Sequence, residues 1–333
     1  MHTQMAVFRF FGVPTLLSRK ERCTTNTIQS STQEVEAPPA ELTALAWGTI
    51  LFLSTPQIIL RLFGRGVPGG PLGLSWLAWV QVVVLTVLWV VTWVWPTVKP
   101  LRGFVLALLA YWVGIFLILP FIVESAAWSN WVQQDSWGVW LVADRLGTHL
   151  VLVALMALTL IGSGIGRREL FLVRGNPSAP AQPTRLLQGR KSVPWNLVVR
   201  GWLPYYVIIV VIVEVILVRP GVSQITRALI YLPAIVIGAA INAFAEEFEF
   251  RSMLLARLEP VLGPRQAILM AAGLFGLLHY YGDPGGPFGV LLAGYLGWIA
   301  AKSMIETRGF VWAFSIHFLG DFIVYAFWAM SAA

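Results

Sequence analysis

Charge is the scarcest property of this chain of 333 residues. Asp, Glu, Lys and Arg make up only 12% of it, whereas 57% of the residues are hydrophobic and the mean hydropathy is +0.74. A soluble protein of this length needs far more polar surface, so the composition predicts an all-α protein that crosses a lipid bilayer several times. The net charge of +7 lies in short segments between apolar runs, which gives no reason to expect a nucleic-acid partner.

Cysteine is nearly absent as well. The single Cys23 excludes an intrachain disulfide framework and any cysteine-rich metal site. No acidic residue precedes Glu21, and the apolar stretch near the start is short and interrupted. We therefore interpret residues 1–40 as a disordered N-terminal tail, with a transit peptide or a misassigned start codon as alternatives.

Apolar runs of helical length fill the rest of the chain. The stretch 166–200, which is rich in Pro, Gly and Arg, separates N-terminal transmembrane helices in 41–165 from a C-terminal bundle in 201–333. We expect eight or nine transmembrane helices, and nine candidates lie at about 42–62, 72–95, 102–123, 148–165, 201–218, 227–257, 265–281, 287–306 and 309–330.

The basic residues predict an orientation for these helices. With the N-terminus in the cytoplasm, most of the 23 Lys and Arg residues fall on the cytoplasmic side, including those of a basic loop at 166–200. The five on the opposite side are Arg61, Arg65, Arg145, Arg219 and Arg227. We expect an integral, multi-pass protein of a bacterial plasma membrane with a cytoplasmic N-terminus.

Ionisable side chains interrupt the apolar helices of the C-terminal bundle, where they are costly. Glu247 and Arg251 are four residues apart, with the acid first, which predicts an ion pair of mainly structural role. Glu246 lies about 100° around the helix, on the face of Asn242, and is the free carboxylate available as a base.

Two histidines follow in later helices. His279 ends the sequence Phe275-Gly-Leu-Leu-His, and His317 begins His-Phe-Leu-Gly-Asp321. Because His317 and Asp321 share a helical face, Asp321 is predicted to orient the imidazole by accepting its other N–H. Counted from the turn near Val261, Glu246 and His279 lie at about the same depth, so one intramembrane cavity can hold all these groups.

Glu214 is a lone acid in the fifth predicted helix. We favour a structural interpretation in which it pairs with Arg219 or Arg227. In the alternative it lines the same cavity as the histidines.

Taken in order, these elements resemble the signature of the CPBP family, the CAAX proteases and bacteriocin-processing enzymes also called the Abi family. That signature is EExxxR, then FxxxH, then HxxxN or HxxxD, and the resemblance covers about residues 226–330. The matching positions are Glu246, Glu247, Arg251, Phe275, His279, His317 and Asp321.

The resemblance implies an intramembrane endopeptidase that hydrolyses a protein or peptide substrate at the membrane. In that family Glu246 and His279 would activate water, His317 and Asp321 would stabilise the oxyanion or bind a metal, and Glu247, Arg251 and Asn242 would support the site. The Asp in place of the common Asn argues against an oxyanion donor at Asp321.

The sequence is compatible with a metal-dependent site and with a metal-free one. Glu246, His279, His317 and Asp321 together could hold a divalent ion such as zinc and leave a position for water. The absence of an HExxH motif favours a metal-free, glutamate-dependent protease instead.

Two other functions compete with proteolysis. A non-catalytic immunity or anchoring protein could use the same scaffold, although a complete set of motif residues argues against lost activity. A proton-coupled transporter could use buried Glu and His as a relay, but we find no repeats or paired broken helices.

Overall fold

The computed structural model describes residues 39–64, 76–133, 136–187 and 191–332. Within them the protein is almost entirely helical, which confirms the predicted all-α membrane fold. The predicted disordered tail, apart from its last two residues, and the beginning of the second predicted span lie outside the described residues.

The N-terminal half is built from six α-helices, with a 3₁₀ turn at Pro96–Leu101 and a π turn at Gly114–Ile118. The helices are α1 Ala40–Leu62, α2 Trp76–Val94, α3 Arg102–Val113, α4 Leu119–Val123, α5 Ala126–Gln133 and α6 Trp137–Gly162.

The C-terminal half begins with a short antiparallel hairpin, in which Pro180 pairs with Pro194 and Ala181 with Val193. A π turn at Phe248–Ser252 and 3₁₀ turns at Leu229–Tyr231 and His279–Tyr281 connect its helices. Its elements are β1 Pro180–Ala181, β2 Val193–Pro194, α7 Trp195–Val218, α8 Val222–Ala228, α9 Leu232–Glu247, α10 Met253–Leu278, α11 Gly286–Thr307 and α12 Val311–Ala332.

Eight helical segments of the described residues are long and apolar enough to cross a membrane, and one of them runs through residues 222–281. This segment breaks at Gly263, where φ is +76°. Phe250 and Phe275, on opposite sides of the break, pack with ring centroids 5.5 Å apart. Phe250 and Phe275 are almost equally distant from Gly263 in sequence, so their contact shows that the chain turns back at Gly263. The helical parts before and after this turn correspond to the predicted spans 227–257 and 265–281.

Helix α6 begins eleven residues before the predicted fourth span. The prediction placed Asp144 and Arg145 in a loop because two adjacent charges interrupt the apolar pattern. In the structure they lie inside α6, where Arg145 pairs with Asp144 and also donates a hydrogen bond to Asn242 of α9. Partners within the bundle therefore allow these charges to lie within the helix.

The connection from α6 to α7 packs against the turn between α11 and α12. Asn176 donates its backbone N–H to the Thr307 carbonyl at 2.8 Å, and Phe310 donates to Val173 at 2.9 Å. Gly175, at φ +64°, lies so close that a Cβ there would be 2.4 Å from the Thr307 oxygen. The predicted basic loop is thus attached to the base of the last two helices.

The helices that carry the site form the centre of the bundle. Helix α9 packs between α6 and α12, and α10 packs along α11. Gly276 and Gly294 allow the close approach of α10 and α11, because a Cβ at Gly276 would be 2.9 Å from the Gly294 Cα. Helix α7 lies at the edge, mainly against α12.

Candidate active site

The glutamates at the end of α9 and in the π turn that follows it contact different neighbours. Glu247 and Glu249 are two residues apart and point to opposite sides of the helix, since side chains at this spacing do not share a face. Both are completely or almost completely buried. The π turn at Phe248–Ser252 inserts an extra residue here, a feature that is frequent at functional sites.

The predicted ion pair between Glu247 and Arg251 is present. Glu247 Oε1 lies 3.3 Å from Arg251 Nη1, and both side chains are fully buried. The guanidinium carbon also lies 3.6 Å from the centre of the Phe275 ring, which adds a cation–π contact from α10. Arg251 therefore connects Glu247 at the end of α9 to Phe275 of the FxxxH motif in α10.

His317 lies among three carboxylates. Its Nδ1 lies 2.7 Å from Glu247 Oε1, which is hydrogen-bonding distance. Its Nε2 lies 3.4 Å from Glu246 Oε2 and 3.5 Å from Asp321 Oδ1, and the side chain is only 4% exposed. The structure thus brings together Glu246, His317 and Asp321, which the sequence predicted as one site.

The orientation of His317 by Asp321 stays a prediction, because Asp321 lies near Nε2 but another carboxylate makes the shorter contact, at the opposite ring nitrogen. The hydrogen bond that fixes the ring is made by Glu247, at Nδ1, whereas Asp321 is a more distant neighbour of Nε2. Residues four apart share a face of α12, but Glu247 comes from α9 and can approach the ring edge directly. Glu247 therefore orients His317 in addition to pairing with Arg251.

His279 presents one ring nitrogen to the site. Its Nδ1 lies 2.9 Å from the Phe275 carbonyl oxygen, which can only accept, so Nδ1 carries the proton of that hydrogen bond. The ring packs on Phe275 with centroids 4.1 Å apart. Nε2 has no hydrogen-bond partner among the described residues and is left available for a water or substrate.

Asn242, predicted as a supporting residue, connects Asp321 to α6. Its Oδ1 accepts from Arg145 Nη1 at 3.0 Å, and because arginine only donates, this contact fixes the orientation of the amide. Its Nδ2 then donates to Asp321 Oδ2 at 3.0 Å. Asp321 thus acts as an acceptor in this bond.

A second histidine–glutamate contact was not predicted. His149 Nε2 lies 3.0 Å from Asn242 Oδ1, and its Nδ1 lies 3.1 Å from Glu249 Oε1. The motifs in the sequence give no role to His149. Its spacing of four from Arg145, on one face of a longer α6, is the signal that could have revealed it.

Two cavities border this site and share His279 in their walls. One of about 160 Å³ lies between α7, α11 and α12 and is bordered by His279, His317 and Asp321. The other, of about 300 Å³, lies on the side of α6 and is bordered by Glu246, Glu249, His149 and again His279. His279 stands between them, so groups from both sides can act on a molecule bound there.

The four candidate metal ligands differ in how well they fit an ion. Two imidazoles and two carboxylates are suitable donors for zinc. Glu246 and Asp321 lie near His317 Nε2, but no group of three His, Cys, Asp or Glu side chains in the described residues is arranged so that it could hold a metal ion. The side chains as arranged here therefore do not fit a bound zinc ion. We assign the chemistry to the side chains alone.

Comparison with known protein families finds a match within the C-terminal bundle. Residues 228–323 match a family described as type II CAAX prenyl endopeptidase Rce1-like. The match covers less than a third of the chain but includes every motif residue from Glu246 to Asp321, and it confirms the resemblance to the CAAX protease family. No curated protein and no solved structure matches the chain.

Proposed function

From the match of residues 228–323 to the CAAX prenyl endopeptidases, we propose that this multi-pass membrane protein hydrolyses a peptide bond of a membrane-associated substrate. Glu246 and His279 activate the water, and His317 stabilises the oxyanion. The observation that carries the proposal is the convergence of Glu246 and Asp321 on His317 Nε2, beside cavities that His279 also borders.

Glu246 is suited to be the general base. Its side chain is 17% exposed, whereas its neighbour Glu247 is fully buried and already engaged by Arg251 and His317. Glu246 Oε2 makes no hydrogen bond with the described residues and can accept a proton from water.

His279 supplies the second contact for that water. With its Nδ1 proton donated to Phe275, the neutral ring offers a lone pair at Nε2. Glu246 and His279 border the same 300 Å³ cavity, where a water between them can be held as its proton passes to Glu246. The resulting hydroxide attacks the peptide carbonyl carbon.

His317 supports the oxyanion that forms on the carbonyl oxygen. Since Nδ1 donates to Glu247, a protonated ring also presents an N–H at Nε2, and the surrounding carboxylates balance its charge. Asp321 accepts from Asn242 and contributes negative charge beside His317. Glu246 then returns its proton to the leaving amine, which gives a carboxylate and an amine product.

Peptide hydrolysis by the reconstituted protein tests the proposal. We expect wild type in proteoliposomes to cleave apolar or prenylated CaaX peptides, detected by mass spectrometry of both products. Glu246→Gln and His279→Gln should each lower kcat by about 10²–10⁴-fold. Glu169→Gln, an exposed acid outside the bundle core, serves as the matched control and should keep full activity.

Thermal unfolding of each variant separates lost chemistry from lost structure. Full cleavage by both Glu246→Gln and His279→Gln would contradict the assignment. Proton flux across the proteoliposomes with no cleavage of any peptide would favour the transporter alternative instead.

A further inference from the structure

We propose that Glu214 forms a subsite of the 160 Å³ cavity that binds a Lys or Arg side chain of the peptide substrate. This inference rests on the proposed endopeptidase function and specifies the class of substrate. It is carried by the position of Glu214 in α7, by its lack of a partner and by the composition of the cavity.

Glu214 is turned inward on a helix that is otherwise exposed at this level. Only 1% of Glu214 is exposed, whereas Ile212, Val215 and Ile216 are each 45–60% exposed. In α7 the other buried residues, Trp195, Val198 and Val199, lie in its first two turns. Because Glu214 borders the cavity, its burial places a carboxylate in the wall of the site.

The carboxylate has no partner of its own. Both oxygens of Glu214 are buried without a hydrogen bond among the described residues. The predicted pairing with Arg219 or Arg227 is wrong, because neither carboxylate oxygen of Glu214 has a partner in the described residues, and the Nε of each arginine donates instead to a backbone carbonyl in its own segment. A buried acid without a partner is costly, so a group that enters the cavity and satisfies it gains binding energy.

The rest of the cavity favours a cation attached to an apolar chain. No Lys or Arg of the described residues borders it, whereas Asp283 adds a second carboxylate. The wall near α7 combines aliphatic side chains with aromatic ones, among them Trp202, Tyr206 and Tyr295. An apolar peptide with one basic side chain complements this surface in both charge and polarity.

The distance to the reacting groups defines where the basic residue lies. Tyr206 marks the level of His317, because its hydroxyl lies next to Gly320, where a Cβ would be 2.1 Å away. Glu214 is eight residues further along α7, which is about 12 Å at 1.5 Å per residue. An extended peptide covers this in roughly three to four residues, so we place the basic residue that far from the scissile bond.

A peptide series tests the subsite. The peptides are apolar and identical except for Lys, norleucine or Glu at each position in turn. Wild type should prefer Lys to norleucine by about tenfold or more in kcat/KM at one position, three to four residues from the cut. Glu214→Gln should lose that preference while cleaving the norleucine peptide normally, and Glu214→Lys should favour the Glu peptide.

Two outcomes overturn the subsite while leaving the endopeptidase in place. One is cleavage with no preference for Lys at any position in the series. The other is a Lys preference that is unchanged in Glu214→Gln. Glu169→Gln, which lies outside the cavity, is the matched control and should retain the preference.

A binding measurement covers the case in which no peptide is cleaved. Butylammonium should raise the unfolding temperature of wild type above the value with butanol at the same concentration, and Glu214→Gln should lose this difference. Equal effects of the two probes on wild type would overturn the subsite. Absent cleavage with an intact butylammonium effect would contradict only the endopeptidase function.

Discussion

His317 and His149 are two buried imidazoles that differ in how completely their nitrogens are used. Each has a glutamate at Nδ1: Glu247 at 2.7 Å from His317 and Glu249 at 3.1 Å from His149. The two rings differ in their contacts at Nε2. His149 is hydrogen-bonded to Asn242 at 3.0 Å, whereas His317 has only carboxylates at 3.4 and 3.5 Å.

This difference supports our proposal that His149 holds structure whereas His317 acts on the substrate. A ring with both nitrogens in hydrogen bonds has no capacity left for a reacting atom. A ring with one oriented nitrogen and one available nitrogen can donate to a developing oxyanion. Burial alone does not distinguish the two, because His149 and His317 are both more than 90% buried.

The sharpest test of the comparison exchanges each ring for glutamine. We expect His317→Gln to lower kcat by about 10²–10³-fold, because it removes the proposed oxyanion donor. His149→Gln should lower kcat by less than about tenfold, because the ring nitrogens of His149 contact Glu249 and Asn242, which we do not place in direct contact with the substrate. Initial rates of peptide cleavage in proteoliposomes measure both, and equal losses in the two variants would remove the distinction.

Loss of the ion pair between Glu247 and Arg251 should mainly lower the stability of the protein. Arg251→Met leaves Glu247 buried without its cation, and we expect a loss of about 3–5 kcal/mol. Arg265→Met, at an exposed position of α10, is the control and should change little. Denaturant unfolding in micelles reports the difference, and a stable Arg251→Met protein would show that Arg251 is dispensable for folding.

Asn242 joins the two histidine regions, so its removal should have an intermediate effect. We expect Asn242→Leu to lower kcat by about tenfold with little change in KM, because Asp321 loses its hydrogen-bond donor. Combined with His149→Leu, the loss should be less than additive, since both act through one network. Strict additivity would mean that His149 does not act through Asn242.

Gly320→Ala tests how closely α7 approaches α12. Its Cβ would lie 2.1 Å from the Tyr206 hydroxyl, so the variant should lose about 1–3 kcal/mol of stability. Tyr206→Phe removes the clashing oxygen and should restore most of that loss. No rescue in the double variant would mean that the clash lies elsewhere in the packing.

The smallest expected effect is that of a chelator. Because no group of side chains in the described residues is arranged so that it could hold a metal ion, EDTA or 1,10-phenanthroline should leave the cleavage rate unchanged. Complete inhibition that is reversed by added zinc would show that the site rearranges around an ion, and it would restore the metal-dependent alternative.

Local spacing accounts for what the sequence predicted correctly. The membrane helices follow from apolar runs, and the pair between Glu247 and Arg251 follows from a separation of four residues. Contacts between helices do not follow from local spacing. The partner of His317 lies 70 residues away and that of His149 lies 100 away, so no periodic pattern records them.

The errors have the same physical origin. Glu214 was assigned to Arg219 or Arg227 because they are near in sequence, yet the helix turns its carboxylate into the bundle instead. Arg145 was placed in a loop because its partner in α9 cannot be seen from α6 alone. A polar residue at membrane depth is visible in the sequence, but its partner depends on how the helices pack.

The marginal position of α7 has a consequence for the surroundings of the enzyme. Few residues of its apolar stretch are buried, so on this side we expect hydrocarbon tails to cover the exposed side chains. The bilayer then encloses the cavity in which we propose that the peptide binds. Lipid thickness and packing are therefore variables of the proposed reaction, just as the composition of the solvent is for a protease in water.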